Sequence, residues 1–320
     1  MQIKWREWLF KRSRTLVCID LSATHLTLVR VAQSRTGALE LRGFYHQPVA
    51  QGAVVERQII EFDQVAEQLR YAVDELGGAG QVGAIAVPTA TAISKRLELP
   101  SEFTVGQLEE LFSFEIEQYI PYPADEICWD FQRAELSGGP LSPVQLVACR
   151  KEYVASREAL MVAAGLSPLL IDVESFALQR GFSLLAPQFS QAADVVALIE
   201  VGEQGVALSV LLRGEFLYNR EKPLDSGASS EQLIEQISRE LQFFYASSPY
   251  NFVDLLLLTG FGVRSTGLVE RLSEVTELRC TVADPLLEVA VSPGLECQEL
   301  RDKSCGLLVA LGLAVGSRKW

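Results

Sequence analysis

Short apolar runs set off by polar turns organise the start of the chain. Residues 15–19 (TLVCI) and 26–31 (LTLVRV) read as two strands, and residues 39–45 as a third after the turn Arg35-Thr36-Gly37. The period then changes. Ile60, Phe62, Val65, Leu69 and Val73 recur at helical intervals over 60–75, and Gly77-Gly78 closes the segment. Residues 82–87 (VGAIAV) form another short buried strand, ended by Pro88.

The same order returns later. Strands are predicted over 195–201, 206–212 and, past Arg213-Gly214, 215–220. A helix follows from 230 to about 246, then a strand over 253–258 that ends in Thr259-Gly260. Three meandering strands, a helix and a further strand thus occur twice, which predicts an internally duplicated α/β fold.

Material of another character separates the copies. Residues 101–119 form an acidic helix carrying Leu108, Leu111, Phe112, Ile116 and Tyr119 on one side, stopped by the I-P-Y-P turn. Strands are expected over 127–134 and 144–149, around a loop containing Ser137-Gly138-Gly139-Pro140. A helix over 151–165 has Gly165 at its end. The expected plan is a leader (1–14), a first domain (15–190) holding a small α+β insert at about 95–170, and a second domain (191–320).

Charge sharpens the plan. The 320 residues carry a net −13, yet residues 1–14 hold five basic residues and one acid, +4, leaving −17 on the rest. An acidic body argues against nucleic acid as a partner. Only His25 and His46 are present, without other ligands at useful spacing, which argues against zinc and Ser-His-Asp chemistry. Neither G-x-x-x-x-G-K-[ST] nor G-x-G-x-x-G occurs. The six cysteines include no C-x-x-C pair and read as reduced thiols of a cytoplasmic protein. The apolar stretches 253–258 and 305–315 are too short to span a bilayer. The leader lacks the apolar core of a signal peptide.

Several segments together carry a resemblance. They are CIDLSATHLTLVRV at 18–31, IEQYIPYPADEICWDFQ at 116–132, the stretch 146–178 that ends in IDVESFAL, LIEVGEQGVALSVLLRGEFLYNRE at 198–221, and ELQFFYASSPYNFVDLLLLTGFG at 240–262. In them the chain resembles the PilM family of type IV pilus assembly, itself similar to the cell-division protein FtsA. The resemblance implies an actin-like (ribonuclease H-like) fold of duplicated domains with a small insert. It also implies a cytoplasmic scaffold at the inner membrane that captures the N-terminal tail of a PilN-type membrane protein. It places the chain beside a PilN/PilO complex and the cytoplasmic motor, with self-association into a ring or platform. A mannose-sensitive pilus or type II secretion paralogue is the alternative setting.

Many members of that family bind ATP between the domains, where strand turns present backbone N–H groups to phosphate. Asp20, Ser22 and Thr24 match the family's D-x-S-x-T, and Gly202 and Gly260 match the second turn and the adenosine side. Four departures stand against them. A common lysine is Thr27, Glu203 follows Gly202, Phe261 replaces a glycine, and a subdomain is missing at 221–229. A carboxylate about 4 Å from a phosphate charge repels it by about 4 kcal/mol at an effective dielectric near 20. The expectation is no cofactor or weakly bound ATP/Mg, and no enzyme; an ATP-dependent switch is the rival. Asp20, Ser22 and Thr24 either retain a phosphate contact or form a turn that caps its own backbone.

Glu109, Glu110, Glu115, Glu117, Asp125 and Glu126 surround the IPYP turn. They are either a solvated face or a rim that attracts a basic tail, with Glu117, Tyr119, Pro121, Tyr122 and Pro123 as partner-binding candidates. The leader is either a disordered start or an interfacial helix. In the second reading Trp5, Trp8, Leu9 and Phe10 enter the interface beside Lys4, Arg6, Lys11, Arg12 and Arg14, a peripheral membrane contact.

Overall fold

Alternation along the strands decides the layers. In the first strand Leu16 and Cys18 face one apolar cluster, while Val17, Ile19 and Leu21 face another. The computed structural model describes residues 15–33, 38–55, 58–133, 139–189, 193–202, 205–224, 228–264, 267–295 and 297–317. The leader, the turn at 35–37, Ser137-Gly138 and Glu203 lie outside the described residues.

Strands β1 (Thr15–Leu21), β2 (His25–Gln33) and β3 (Leu39–Pro48) form an antiparallel meander. A ribbon of β4 (Val54–Val55) and β5 (Gln58–Ile59) leads to helix α1 (Phe62–Glu75), and β6 (Val82–Val87) returns parallel to β1. The insert follows: β7 (Ala92–Pro100), α2 (Val105–Tyr119), β8 (Ile127–Arg133) and β9 (Leu141–Arg150), with sheet order β7-β9-β8. Helix α3 (Lys151–Ala163) and β10 (Ser167–Val173) come next; β10 pairs with β6 and runs into α4 (Glu174–Phe189).

The second half repeats this with β11 (Val195–Val201), β12 (Gly205–Leu212), β13 (Glu215–Pro223), α5 (Ser230–Ser247) and β14 (Leu255–Thr259). Helix α6 (Leu268–Thr276), β15 (Cys280–Val282), β16 (Ala290–Val291), α7 (Gln298–Lys303) and α8 (Leu308–Gly316) complete the chain. The sheet orders are β10-β6-β1-β2-β3-β16 and β15-β14-β11-β12-β13. Read in that direction, each strand of the smaller sheet has its counterpart in the larger. Here the duplication read from sequence is explicit.

The central core contains Leu16 and Cys18 of β1, Val196 and Leu198 of β11, and the apolar sides of α4 and α8. Helices α1 and α3 cover the outer face of the large sheet, while α5 and α6 cover that of the smaller one. The result is five layers, helix–sheet–helix–sheet–helix.

Some boundaries move, each for a local reason. Helix α2 starts at Val105, not 101, because Thr104 and Gln107 form a capping box. Strand β14 starts at Leu255, after Asp254 has turned its carboxylate to accept from the Asp194 and Val195 N–H groups, at 2.9 and 2.8 Å. The insert is narrower than 95–170. Its sheet occupies Ala92–Pro100 and 127–150, whereas Ser167–Val173 belongs to the large sheet by pairing with β6. The segment 191–320 is not self-contained either. Strand β16 pairs with Glu40 and Leu41 of β3, and α8 packs against α4 in the central core. Strand β7 has no counterpart in the sequence reading, because its side chains are mostly exposed or half-buried. Among the described residues no helix is long and apolar enough to cross a membrane.

Candidate functional site

Duplication places two hairpin turns face to face. The β1–β2 turn comes from the large sheet and the β11–β12 turn from the smaller one. Between them lies a cleft of about 630 Å³, lined among others by Asp20, Ser22, Thr24, Gly202 and Gly260. All five candidate nucleotide-site residues therefore border one space.

The first turn spends its polar groups on itself. The Ser22 N–H donates to the His25 carbonyl at 2.9 Å, and Ser22 Oγ accepts from the His25 N–H at 2.9 Å and the Thr24 N–H at 3.3 Å. Thr24 Oγ1 lies 3.1 Å from His25 Nδ1. These bonds form the self-capped turn that the residue pattern left as one alternative. In the second turn, the Gly202 N–H donates to the Gly205 carbonyl at 2.9 Å. Gly260 has φ +93°, and a Cβ there would stand 2.5 Å from the Val201 carbonyl oxygen, so only glycine fits.

The charged groups of the described lining are all carboxylates. Asp20, Glu174, Glu200 and Glu221 all face the cleft, and no lysine or arginine is among its described lining residues. Burial, with Glu174 adding repulsion, pushes the Asp20 carboxyl up to about 7. Glu174 opens α4 and its Oε2 accepts from the Thr89 N–H at 3.4 Å, tying the end of β6 to that helix. Among the described residues no group of three or more His, Cys, Asp or Glu is placed to hold a metal ion.

An aromatic stack fills one side. Thr27, where a lysine was expected from the resemblance, is buried and hydrogen-bonds through Oγ1 to His46 Nδ1 at 2.9 Å. The His46 ring stacks on His25, centroids 4.6 Å apart, and meets Phe261 at 4.1 Å. Burial, then Lys303 and His25, pull the His46 imidazole down to about 3, so it is neutral. Phe261 in turn lies on Gly306, where a Cβ would overlap the ring. The stack joins β2 and β3 to the second half. Its residues carry no sequence periodicity that would announce it; His25, His46, Thr27 and Phe261 were each noted singly, and nothing in the sequence brought them together.

The insert presents the other candidate surface. Leu108, Phe112 and Ile116 of α2 bury against Val144, Leu146 and Ala148 of β9. Tyr119 packs on Phe112 at 5.7 Å, and the Arg150 guanidinium sits 4.7 Å over the Tyr122 ring. Glu117 Oε1 accepts from the Ala124 N–H at 2.9 Å. Glu117, Tyr119 and Tyr122 thus shape the turn, while Pro121 and Pro123 are exposed on it. On the opposite side of α2 Phe114 is 83% exposed, between Glu110 and Glu117.

The family model described as type IV pilus assembly protein PilM matches residues 18–227 and 228–318. The chain belongs to the PilM family of type IV pilus assembly proteins. Its fold is similar to that of a solved chain described as a PilM-PilN type IV pilus biogenesis complex. The TM-score is 0.78 and identity 23%, over 96% of this chain and 99% of that one. More distant folds include the ethanolamine utilization protein EutJ of Carboxydothermus hydrogenoformans, TM-score 0.52 and 11% identity over 94% of this chain and 89% of that one. A Bacteroides thetaiotaomicron protein with an actin-like ATPase fold and unknown function gives 0.51 and 12%, over 99% of each. The PilM fold here is therefore actin-like, with a hairpin turn of each sheet facing the other across the cleft. In this PilM-family chain the described cleft lining carries four carboxylates and the ring of Phe261, which His46 backs from the core.

Proposed function

We propose that this PilM-family chain is a scaffold of the type IV pilus assembly platform that holds the N-terminal tail of a PilN-type membrane protein beside its insert. The observation that carries the reading is the end-to-end similarity to the chain of a PilM-PilN complex. The acidic helix α2 supports it. Four glutamates and no basic residue lie between Val105 and Tyr119, so a basic tail would be steered to that side.

The same proposal makes nucleotide incidental. The described lining does not fit a tightly held polyphosphate: four carboxylates face the space, and the first turn is closed by its own hydrogen bonds. No step of the scaffold's action runs through ATP. Position at the cytoplasmic face of the inner membrane follows from holding such a tail. The leader, +4 with Trp5, Trp8 and Phe10, adds a vesicle contact of its own.

The test is capture of a synthetic basic PilN-type tail by the full-length protein with and without Mg-ATP. Equal capture in both conditions is expected. Capture only with Mg-ATP would favour the switch, and capture in neither would overturn the scaffold reading. Co-sedimentation of full-length and Δ1–14 protein with anionic vesicles tests the leader; equal partitioning would remove it from the account.

A further inference from the structure

The root of the insert holds a pair of cysteines that neither the cleft nor tail capture uses. In the antiparallel ladder of β8 and β9, Cys128 stands directly opposite Cys149. Opposed residues of such a pair keep their Cα atoms about 4.5–5.5 Å apart and their side chains on one face. A disulfide spans about 4.4–6.8 Å between Cα atoms. The Cα spacing of such a pairing falls within the range a disulfide spans, and Cys149 Sγ, which now donates to Thr91 Oγ1 at 3.8 Å, would turn to Cys128.

Their surroundings differ in a useful way. Cys128 is on an outer strand and exposed, open to a small oxidant. Cys149 is 7% exposed on the central strand, in the apolar cluster with Val87 and Val173 that joins the insert to the large sheet. Burial raises both thiols above their ordinary range, and Cys128 adds to the rise at Cys149. Lys151 near Cys128 and Arg157 near Cys149 act in the opposite direction, favouring the thiolates.

We propose that Cys128 and Cys149 form a reversible cross-strand disulfide that staples β8 to β9 at the root of the insert. With a peroxide as oxidant, the Cys128 thiolate attacks one peroxide oxygen. The O–O bond breaks, leaving a sulfenic acid and a hydroxide, which takes up the proton the Cys128 thiol released and becomes the first water. The Cys149 thiolate then attacks the sulfenic sulfur and the S–O bond breaks. The hydroxide released takes up the thiol proton as a second water, so two thiols and one peroxide give one disulfide and two waters. Low-molecular-weight thiol reverses the step by exchange. The elevated thiols make oxidation faster as pH rises.

Two separate measurements on the full-length protein test this. After peroxide treatment the denatured chain is expected to show four free thiols in place of six, a mass lower by two hydrogens, and a peptide linking the segments around 128 and 149. Dithiothreitol should restore all six. Cys128→Ser should retain its five thiols under the same treatment. Independently, wild-type protein equilibrated in glutathione buffers should populate the linked peptide as the disulfide fraction grows, with amide exchange in Ile127–Arg133 slowing several-fold. A wild-type chain that keeps six thiols in both experiments overturns the proposal. So does a loss of thiols mapped as sulfinic acid with no linked peptide.

Discussion

Gly312 of α8 lies against the carbonyl of Ala177 in α4, so closely that a Cβ on the glycine would overlap that oxygen. At the same crossing Gly181 lies against the Leu308 carbonyl. Two helices thereby approach backbone to backbone in the layer between the sheets. Every residue of α8 from Leu308 to Ala314 is buried there.

Gly312→Ala is expected to destabilise the protein by about 3 kcal/mol, since the added Cβ would overlap the Ala177 carbonyl at a buried helix crossing. Gly106→Ala, built into open space near the start of α2, is the control. It should be neutral or gain up to about 1 kcal/mol through helix propensity. Denaturant midpoints of the two variants against wild type check both.

Asp20 and His46 respond to pH in opposite senses. Between 3.8 and about 7 the folded chain keeps the Asp20 proton that the unfolded chain has released, so this residue lowers stability as pH rises through that window. His46, moved from 6.5 to about 3, is neutral when folded while the unfolded chain takes up a proton. It lowers stability as pH falls below 6.5. Asp20→Asn removes the first effect and leaves the second. The variant should be more stable than wild type above neutral pH, by up to about 4 kcal/mol, and lose that advantage steadily toward pH 4. Unfolding curves across the range decide; parallel pH profiles for the two proteins would refute the assignment.

Calorimetric titration of the purified chain with Mg-ATP should show no saturable binding below about 1 mM. The reason is the four-carboxylate lining around Asp20 and the ring of Phe261 set between His46 and Gly306. A micromolar isotherm would mean that the described lining rearranges to receive phosphate.

Reversing two exposed charges on α2, Glu109→Lys with Glu110→Lys, should slow association with a basic tail peptide about tenfold at low salt. The difference should vanish at high salt, where charges separated by more than a Debye length are screened. Stopped-flow association rates at two ionic strengths measure it. A salt-independent change would point to damaged packing of Leu108 and Phe112 instead.

Local order was legible from the chain itself. Strands such as β6 and β11 match their apolar runs end to end, because a continuous run bounded by turn residues leaves few alternatives. The repeated strand–strand–strand–helix–strand order carried the duplication, and the spaced motifs carried the PilM resemblance. The family resemblance pointed to the cleft through the D-x-S-x-T turn and Gly260, whose residue types suit the local backbone geometry found there. Tertiary structure alone decided what meets what. Nothing in a single chain's periodicity brings Glu174 to Asp20, Phe261 to His46, Cys149 to Cys128 or Gly312 to Ala177. Periodicity records which face of an element is buried, not which distant face covers it. The end of the chain shows the difference. Residues 305–315 were visible as apolar, but their place between the two sheets follows from packing against α4 and from β16 joining the large sheet.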